Sequence, residues 1–268
     1  MHPMTMLVEN TTIDSKFLER KVIIDVYLPK QFSSGNKLSL LLINDGQDMV
    51  KLGLESILEN LEGSGAIRPL ACVGIHAGDR KVEFGVASEA DYLGRGARAT
   101  KYTAFIREEL IPFIKQQYPA IITKPTALAG FSMGGLMALD MGWNFPAEFS
   151  VVGIFSGSLW WRALDQEDPA YNDEKHRIMQ EQLRKGHYHE GQRFFFSTGS
   201  LDETRDRNNN GIIDAIDDTM AMISELEKHG YSFPNDLHYI NFEDGKHDVQ
   251  TWARAMPVFL QWAFGMDR

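Results

Sequence analysis

Gly130-Phe131-Ser132-Met133-Gly134-Gly135 sits where one pattern of apolar residues gives way to another. Thr126-Ala127-Leu128-Ala129 before it reads as the end of a buried strand, and Leu136 to Trp143 after it reads as a helix. A strand that passes straight into a helix turns so tightly that the serine backbone is strained and neighbouring Cβ atoms would clash, which is why glycines surround it. The turn lifts the Ser132 hydroxyl clear of the sheet and aims the amides of the helix N-terminus at whatever that hydroxyl attacks. The hexamer therefore points to a sheet with helices packed on it and marks Ser132 as a candidate nucleophile. The competing reading is a Gly/Ser turn that only lets a helix pack closely on a sheet.

The rest of the chain has the same rhythm. Val22 to Leu28 alternates like a strand and stops at Pro29. Leu38 to Ile43 is almost wholly apolar, as a strand covered on both faces must be, and Asn44-Asp45-Gly46-Gln47 breaks it. Leu52 to Leu61 has helical apolar spacing, and Ala71 to Ile75 is another buried strand. Residues 77–98 read as a long functional loop. Lys101 to Tyr118 is predicted to be helical, with a kink or break at Pro112. Strands follow at Phe149–Phe155, Arg193–Ser197 and Leu237–Phe242, and a helix from about Val249 to Phe264 closes the chain. Strands alternating with helices predict an α/β fold with a mostly parallel sheet and helices on both faces. One domain over residues 1–268 is expected, with a small cap insertion around 160–190.

Charge and cysteine content narrow the function. There are 27 basic and 37 acidic residues, a formal net charge of −10, and no basic cluster is interleaved with aromatics, so a nucleic-acid partner is not expected. The one cysteine, Cys72, excludes an intramolecular disulfide framework and reads as a buried strand thiol. Met1 to Glu9 lacks the basic and apolar regions of a signal peptide. No apolar run approaches the roughly 20 residues of a membrane span. A soluble, cytoplasmic protein with no membrane partner is the expectation.

A serine hydroxyl needs a base within hydrogen-bond reach, and histidine titrates in the right range. In open α/β sheets the site gathers at the C-terminal ends of the strands. Of eight histidines, His2 is terminal, His187 and His189 lie in a polar stretch, His176 and His229 read as exposed helix positions, and His238 lies within a strand. His247 follows the last strand in Asp244-Gly245-Lys246-His247-Asp248, where a base belongs in the chain order serine, acid, histidine. His76, at the end of a strand, is the alternative. The orienting acid should follow a strand between serine and histidine. Thr198-Gly199-Ser200-Leu201-Asp202-Glu203 points to Asp202, with Glu203 second. The oxyanion donors are expected to be the Met133 amide and that of Gly46 or Gln47.

Together these segments resemble the esterase family of α/β-hydrolases that includes enterochelin-type, feruloyl and acetyl xylan esterases. The resemblance runs over roughly residues 15–265. It rests on Val26-Tyr27-Leu28-Pro29, Asp45-Gly46-Gln47, Arg80 with Glu83, Glu108 to Ile114, the Gly130–Gly135 turn, Ser156-Gly157-Ser158-Leu159-Trp160-Trp161, and Gly245-Lys246-His247-Asp248 with Trp252. It implies hydrolysis of a small-molecule carboxylic ester through an acyl-serine, with no catalytic cofactor. The family also contains mycolic-acid acyltransferases, so acyl transfer to an alcohol is the alternative within it. Trp160 and Trp161 are candidates for lining the substrate pocket, and Arg80 for meeting a substrate carboxylate or pairing with Glu83.

A second motif lies downstream. Asp206, Asn208, Asn210, Ile212 through its carbonyl, Asp214 and Asp217 have the spacing of a calcium loop, with Gly211 at the sharp turn. The motif resembles EF-hand and dockerin loops, except that Asp217 replaces the usual glutamate. A structural Ca²⁺ is one expectation, and an Asn/Gly-rich turn into a helix capped by Asp214 is the other. A non-catalytic, calcium-dependent binding protein on a hydrolase scaffold is the rival reading from outside enzymology.

Overall fold

The computed structural model describes residues 6–30 and 37–266. Eight strands form one sheet in the order β1-β2-β4-β3-β5-β6-β7-β8: β1 (Met6–Ser15), β2 (Arg20–Pro29), β3 (Leu38–Asn44), β4 (Leu70–Ile75), β5 (Ile121–Phe131), β6 (Phe149–Phe155), β7 (Arg193–Leu201) and β8 (Leu237–Lys246). β1 and β2 pair antiparallel, β2 runs antiparallel to β4, and every pair from β4 to β8 is parallel. The mostly parallel α/β architecture expected from the alternating pattern is present, in an α/β-hydrolase arrangement.

The near-continuous apolar strands follow from burial on both faces. Leu40, Leu42, Leu128, Val152 and Phe194 point into one core, with the helix Met133–Asn144 and the segments around Tyr102 and Leu226. Leu41, Ile43, Ala129, Val151 and Phe195 point into the other, beneath the helices Leu54–Gly63 and Val249–Phe264. Cys72 is fully buried in this second core.

Sequence pattern alone gives no signal for β1. Its residues Glu9, Asn10, Thr11 and Thr12 belong to an edge strand with one neighbour, which needs little apolar surface. Pro112 does not break its helix. A wider π-helical turn over Phe105–Leu110 precedes it, so the chain passes into Ile111–Gln117 despite the missing N–H. Between β6 and β7 the chain forms two short helices, Asp173–His176 and Ile178–Lys185. No helix among the described residues is long and apolar enough to cross a membrane.

Candidate active site

Ser132 leaves β5 at φ 54° and ψ −121°, a conformation that an L-residue holds only under constraint. The constraint is visible. The Ser132 N–H donates to Phe155 O at 2.9 Å, and its carbonyl accepts from the N–H groups of Ser158 (3.0 Å) and Gly135 (3.1 Å). A Cβ on Gly130 would lie 2.2 Å from Gly134 O, so only glycine lets the strand meet the helix here. Met133 opens the helix, and an amide in a first turn has no acceptor within its own helix. The Ser132 Oγ lies 3.3 Å from Ser158 Oγ.

The loop after β3 faces this turn. Asp45 sits at φ 66° in the left-handed region. A Cβ on Gly46 would approach the Gly74 carbonyl carbon to 2.4 Å, so the loop packs backbone against backbone. The Gln47 side chain ties the loop down, donating to Asp45 Oδ1 at 2.9 Å and accepting from the Ala77 N–H at 3.1 Å. Arg80 does not pair with Glu83. Its Nε donates to Asp45 Oδ1 at 2.6 Å and a terminal nitrogen donates to Asp45 Oδ2 at 3.0 Å. Glu83 is held instead by Arg20, at 2.6 and 2.7 Å. The pairing expected from proximity in sequence loses to one across the fold, because the buried Asp45 carboxylate needs a cation. Burial pushes the Asp45 carboxyl up, and Arg80 pulls it back.

His247 follows β8, and Asp248 caps the next helix by accepting from the Thr251 N–H at 2.9 Å. Trp252 fastens this end of the site. Its Nε1 donates to Ser156 Oγ at 3.1 Å, and the His247 ring meets it edge-on at 5.4 Å. Asp202 comes from the end of β7. Its Oδ2 accepts from the Gly199 N–H at 3.0 Å. Its Oδ1 is buried with no hydrogen-bond partner and lies 4.0 Å from His247 Nδ1. Burial lowers the His247 pKa below the ordinary histidine value, with Asp202 raising it, Arg80 lowering it further and Asp248 raising it. Glu203, the second choice of acid, is pushed up by burial and by Asp214, and its shift owes nothing to His247.

His76 is otherwise engaged, with its Nε2 2.6 Å from Asp25 Oδ2 on β2. Among the remaining histidines, His176, His229 and His238 have their own partners: the Asn172 N–H, Leu183 O and the Phe195 ring. The His187 and His189 rings lie against each other at a tilt, 4.4 Å between centroids, and His2 lies outside the described residues.

A cavity of about 170 Å³ is lined by Ser158, Trp160, Asp202, Glu203 and His247. Trp160 lines this cavity. Trp161 does not: it is fully buried, its Nε1 donates to Glu89 O at 3.4 Å, and its ring packs against Gly85 and Gly96. Sequence reasoning missed Ser158 and the role of Asp45, although both lie inside segments that it singled out.

The downstream loop closes on itself. The N–H groups of Asn210 and Gly211 donate to Asp206 at 3.1 and 2.9 Å, and the amides of Asn208 and Asn210 donate to Asp217 Oδ2 at 2.8 and 2.9 Å. Asp214 turns away to the Arg207 N–H (2.8 Å) and guanidinium (3.3 Å). Asp206, Asn208, Asn210 and Asp217 are thus drawn together by hydrogen bonds, while Asp214 is held by Arg207. Among the described residues, no group of three His, Cys, Asp or Glu side chains is arranged to hold a metal ion.

A family model described as "Putative esterase" matches residues 15–263. The uncharacterised Bacillus subtilis protein YjcH is 28% identical over 151 residues, 56% of this chain and 61% of its own length. A solved ferulic acid esterase superposes with a TM-score of 0.71 at 21% identity, covering 97% of this chain and 98% of that one. The Shigella flexneri enterobactin esterase, solved in the presence of enterobactin, gives 0.73 at 20% identity, covering 95% of this chain and 58% of its own. The chain thus spans less than two-thirds of YjcH and of the enterobactin esterase. The match to the family model covers nearly the whole chain, so this protein belongs to that esterase family.

Proposed function

We propose that Ser132 attacks the ester carbonyl, that His247 takes its proton and returns it to the leaving alcohol, and that Asp202 orients the imidazole. The observation that carries this reading is the bare, buried Asp202 Oδ1 4.0 Å from His247 Nδ1, at the same sheet edge as the strained Ser132 turn. A carboxylate oxygen buried without a donor is costly unless a donor approaches it. Catalytic hydrogen bonds in ligand-free sites are commonly long and tighten when substrate binds. The Met133 amide and that of Gly46 or Gln47 receive the developing oxyanion, each worth roughly 3 kcal/mol of transition-state stabilisation. The acyl-serine then yields to water activated by the same histidine.

The enterobactin and ferulic acid esterases among the structural neighbours suggest esters that carry aromatic groups as substrates, and Trp160 beside the cavity suits a planar acyl or alcohol group. The test is hydrolysis of p-nitrophenyl acetate by wild type and Ser132→Ala. We expect a fall in kcat of roughly 10⁴-fold or more, with an unchanged melting temperature and lost labelling by a fluorophosphonate probe. Equal rates in the two proteins would remove Ser132 from the mechanism.

A further inference from the structure

The cavity beside His247 does not end at Trp160. Trp160 and Glu203 also line a second cavity of about 280 Å³, whose other walls include Arg95, Arg162, Arg205 and Asp214. Three guanidiniums around one small space next to a reactive serine is an unusual concentration in a protein of net charge −10. Their partners decide how much positive charge is left over. Arg95 is neutralised by the buried Asp91, with its Nε at 2.6 Å, and lies on the Trp160 ring at 4.7 Å. Asp214 is neutralised by Arg207. Arg162 is more than nine-tenths buried. It donates from one terminal nitrogen to the neutral Gln166, while its Nε is buried with no acceptor. Arg205 is exposed and makes no ion pair among the described residues. That leaves the guanidiniums of Arg162 and Arg205 against one carboxylate, Glu203, which burial and Asp214 push up and Arg205 pulls back.

A buried guanidinium whose hydrogen-bonding capacity is not filled is a costly arrangement unless a ligand completes it. Planar forked donors match a carboxylate. We propose that this outer chamber is a carboxylate-binding subsite formed by Arg162 and Arg205, so that the enzyme prefers esters whose acyl or alcohol half carries a free carboxylate. The inference rests on the esterase reading for its geometry, since the ester held at Ser132 would extend past Trp160 into the chamber. Arg162 orients the anion from a fixed, buried position. Arg205 adds attraction from the rim, where its effect weakens with added salt.

Two matched substrate pairs test this. On the acyl side, the mono-p-nitrophenyl ester of adipic acid is compared with its terminal amide. On the alcohol side, the butyrate of 4-hydroxyphenylacetic acid is compared with that of 4-hydroxyphenylacetamide. We expect kcat/KM to favour the acid by about tenfold or more in one pair, through KM. Arg205→Gln should cut that ratio about fivefold or more, whereas Arg68→Gln, exposed and remote, should leave it alone. Arg205 is at the surface, so its substitution does not endanger folding; Arg162→Lys, which keeps the charge but loses the fork, should also lower the ratio. Ratios near one in both pairs, or a ratio unmoved by Arg205→Gln, would overturn the proposal. Calorimetric binding of 4-hydroxyphenylacetate against its amide needs no turnover. Tighter acid binding that weakens in Arg205→Gln would uphold the subsite even if the Ser132 mechanism failed. Equal binding of the two would overturn it whatever the catalytic result.

Discussion

Two buried aspartates flank Ser132, and the fold treats them in opposite ways. Asp45 has both oxygens filled, by Arg80 and by Gln47. Asp202 has one oxygen on the Gly199 N–H and the other bare, facing His247 from 4.0 Å. In the proposed mechanism the Asp45 side carries the loop whose backbone amides must already be in position when charge develops on the substrate oxygen, which fits its closure by a bidentate ion pair. In the same proposed mechanism the Asp202 side carries an imidazole that serves first the nucleophile and then the leaving group, so its electrostatic capacity is left open. A satisfied charge gives rigidity, and an unsatisfied one gives a place for a cation to form.

The comparison fails most visibly if Asp202 is structural. Asp202→Asn removes a buried carboxylate that nothing fully compensates, so the melting temperature should hold or rise. With the orienting charge gone and the imidazole tautomer unfixed, kcat should fall by roughly 10³ to 10⁴-fold. Steady-state kinetics beside a thermal melt checks both. A destabilised variant with near-normal turnover would make Asp202 another Asp45.

Arg80→Ala should show the reverse balance. It leaves the Asp45 carboxylate, 2% exposed, without its cation. Losing one partner of a buried pair costs about 3–5 kcal/mol. Because the Arg80 side chain is itself 37% exposed, roughly 2–3 kcal/mol is the better expectation here. Turnover should fall only about tenfold to a hundredfold, since loop geometry rather than a reacting group is disturbed. The same substitution tests the electrostatics of the base. In the proposed mechanism His247 works as a neutral imidazole, and burial and Arg80 both hold its pKa below the ordinary histidine value. The wild-type enzyme should therefore lose activity only as the pH falls below about 6.5. Without Arg80 the imidazole keeps its proton to higher pH, so the acid limb of kcat/KM should move upward. A limb that stays put would mean that Arg80 does not act on His247.

These contrasts explain what the sequence disclosed. The places of Ser132, Asp202 and His247 at the ends of β5, β7 and β8 were legible because each lies at a junction between periodic segments, where local pattern and chain order carry the information. The strands were legible because burial on both faces leaves only apolar residues. β1 was not, because an edge strand tolerates Glu9, Asn10 and Thr12. Partnerships were the hardest to read. Arg80 stands three residues from Glu83 yet bonds Asp45, 35 residues away, and Trp160 and Trp161 are adjacent yet one lines a cavity and the other fills the core. Which of two neighbours faces the site depends on packing against Gly85 and Gly96, and no spacing rule encodes that.

The smallest expected effect concerns the loop whose spacing suggested calcium. Its acidic residues split as the two aspartates do, between a closed set and an open one, and here too a guanidinium does the closing. Arg207 reaches Asp218 at 2.6 Å, Asp173 at 3.1 Å and Asp214 at 3.3 Å. This withdraws the ninth-position ligand and supplies positive charge from inside the chain. Asp206 and Asp217 are left with backbone and amide donors, which suffice for a turn but give only two carboxylates for a divalent ion. Arg207→Ala should lower the melting temperature by roughly 4–10 °C, because Asp218 and Asp214 lose a buried partner. Chelator or millimolar Ca²⁺ should move the wild-type melting temperature by less than about 1 °C, since a ligand shifts stability only when its concentration exceeds its Kd. A rise of several degrees with Ca²⁺, abolished by Asp217→Asn, would show that Asp214 can leave Arg207 for a metal ion and that the internal guanidinium is only a substitute.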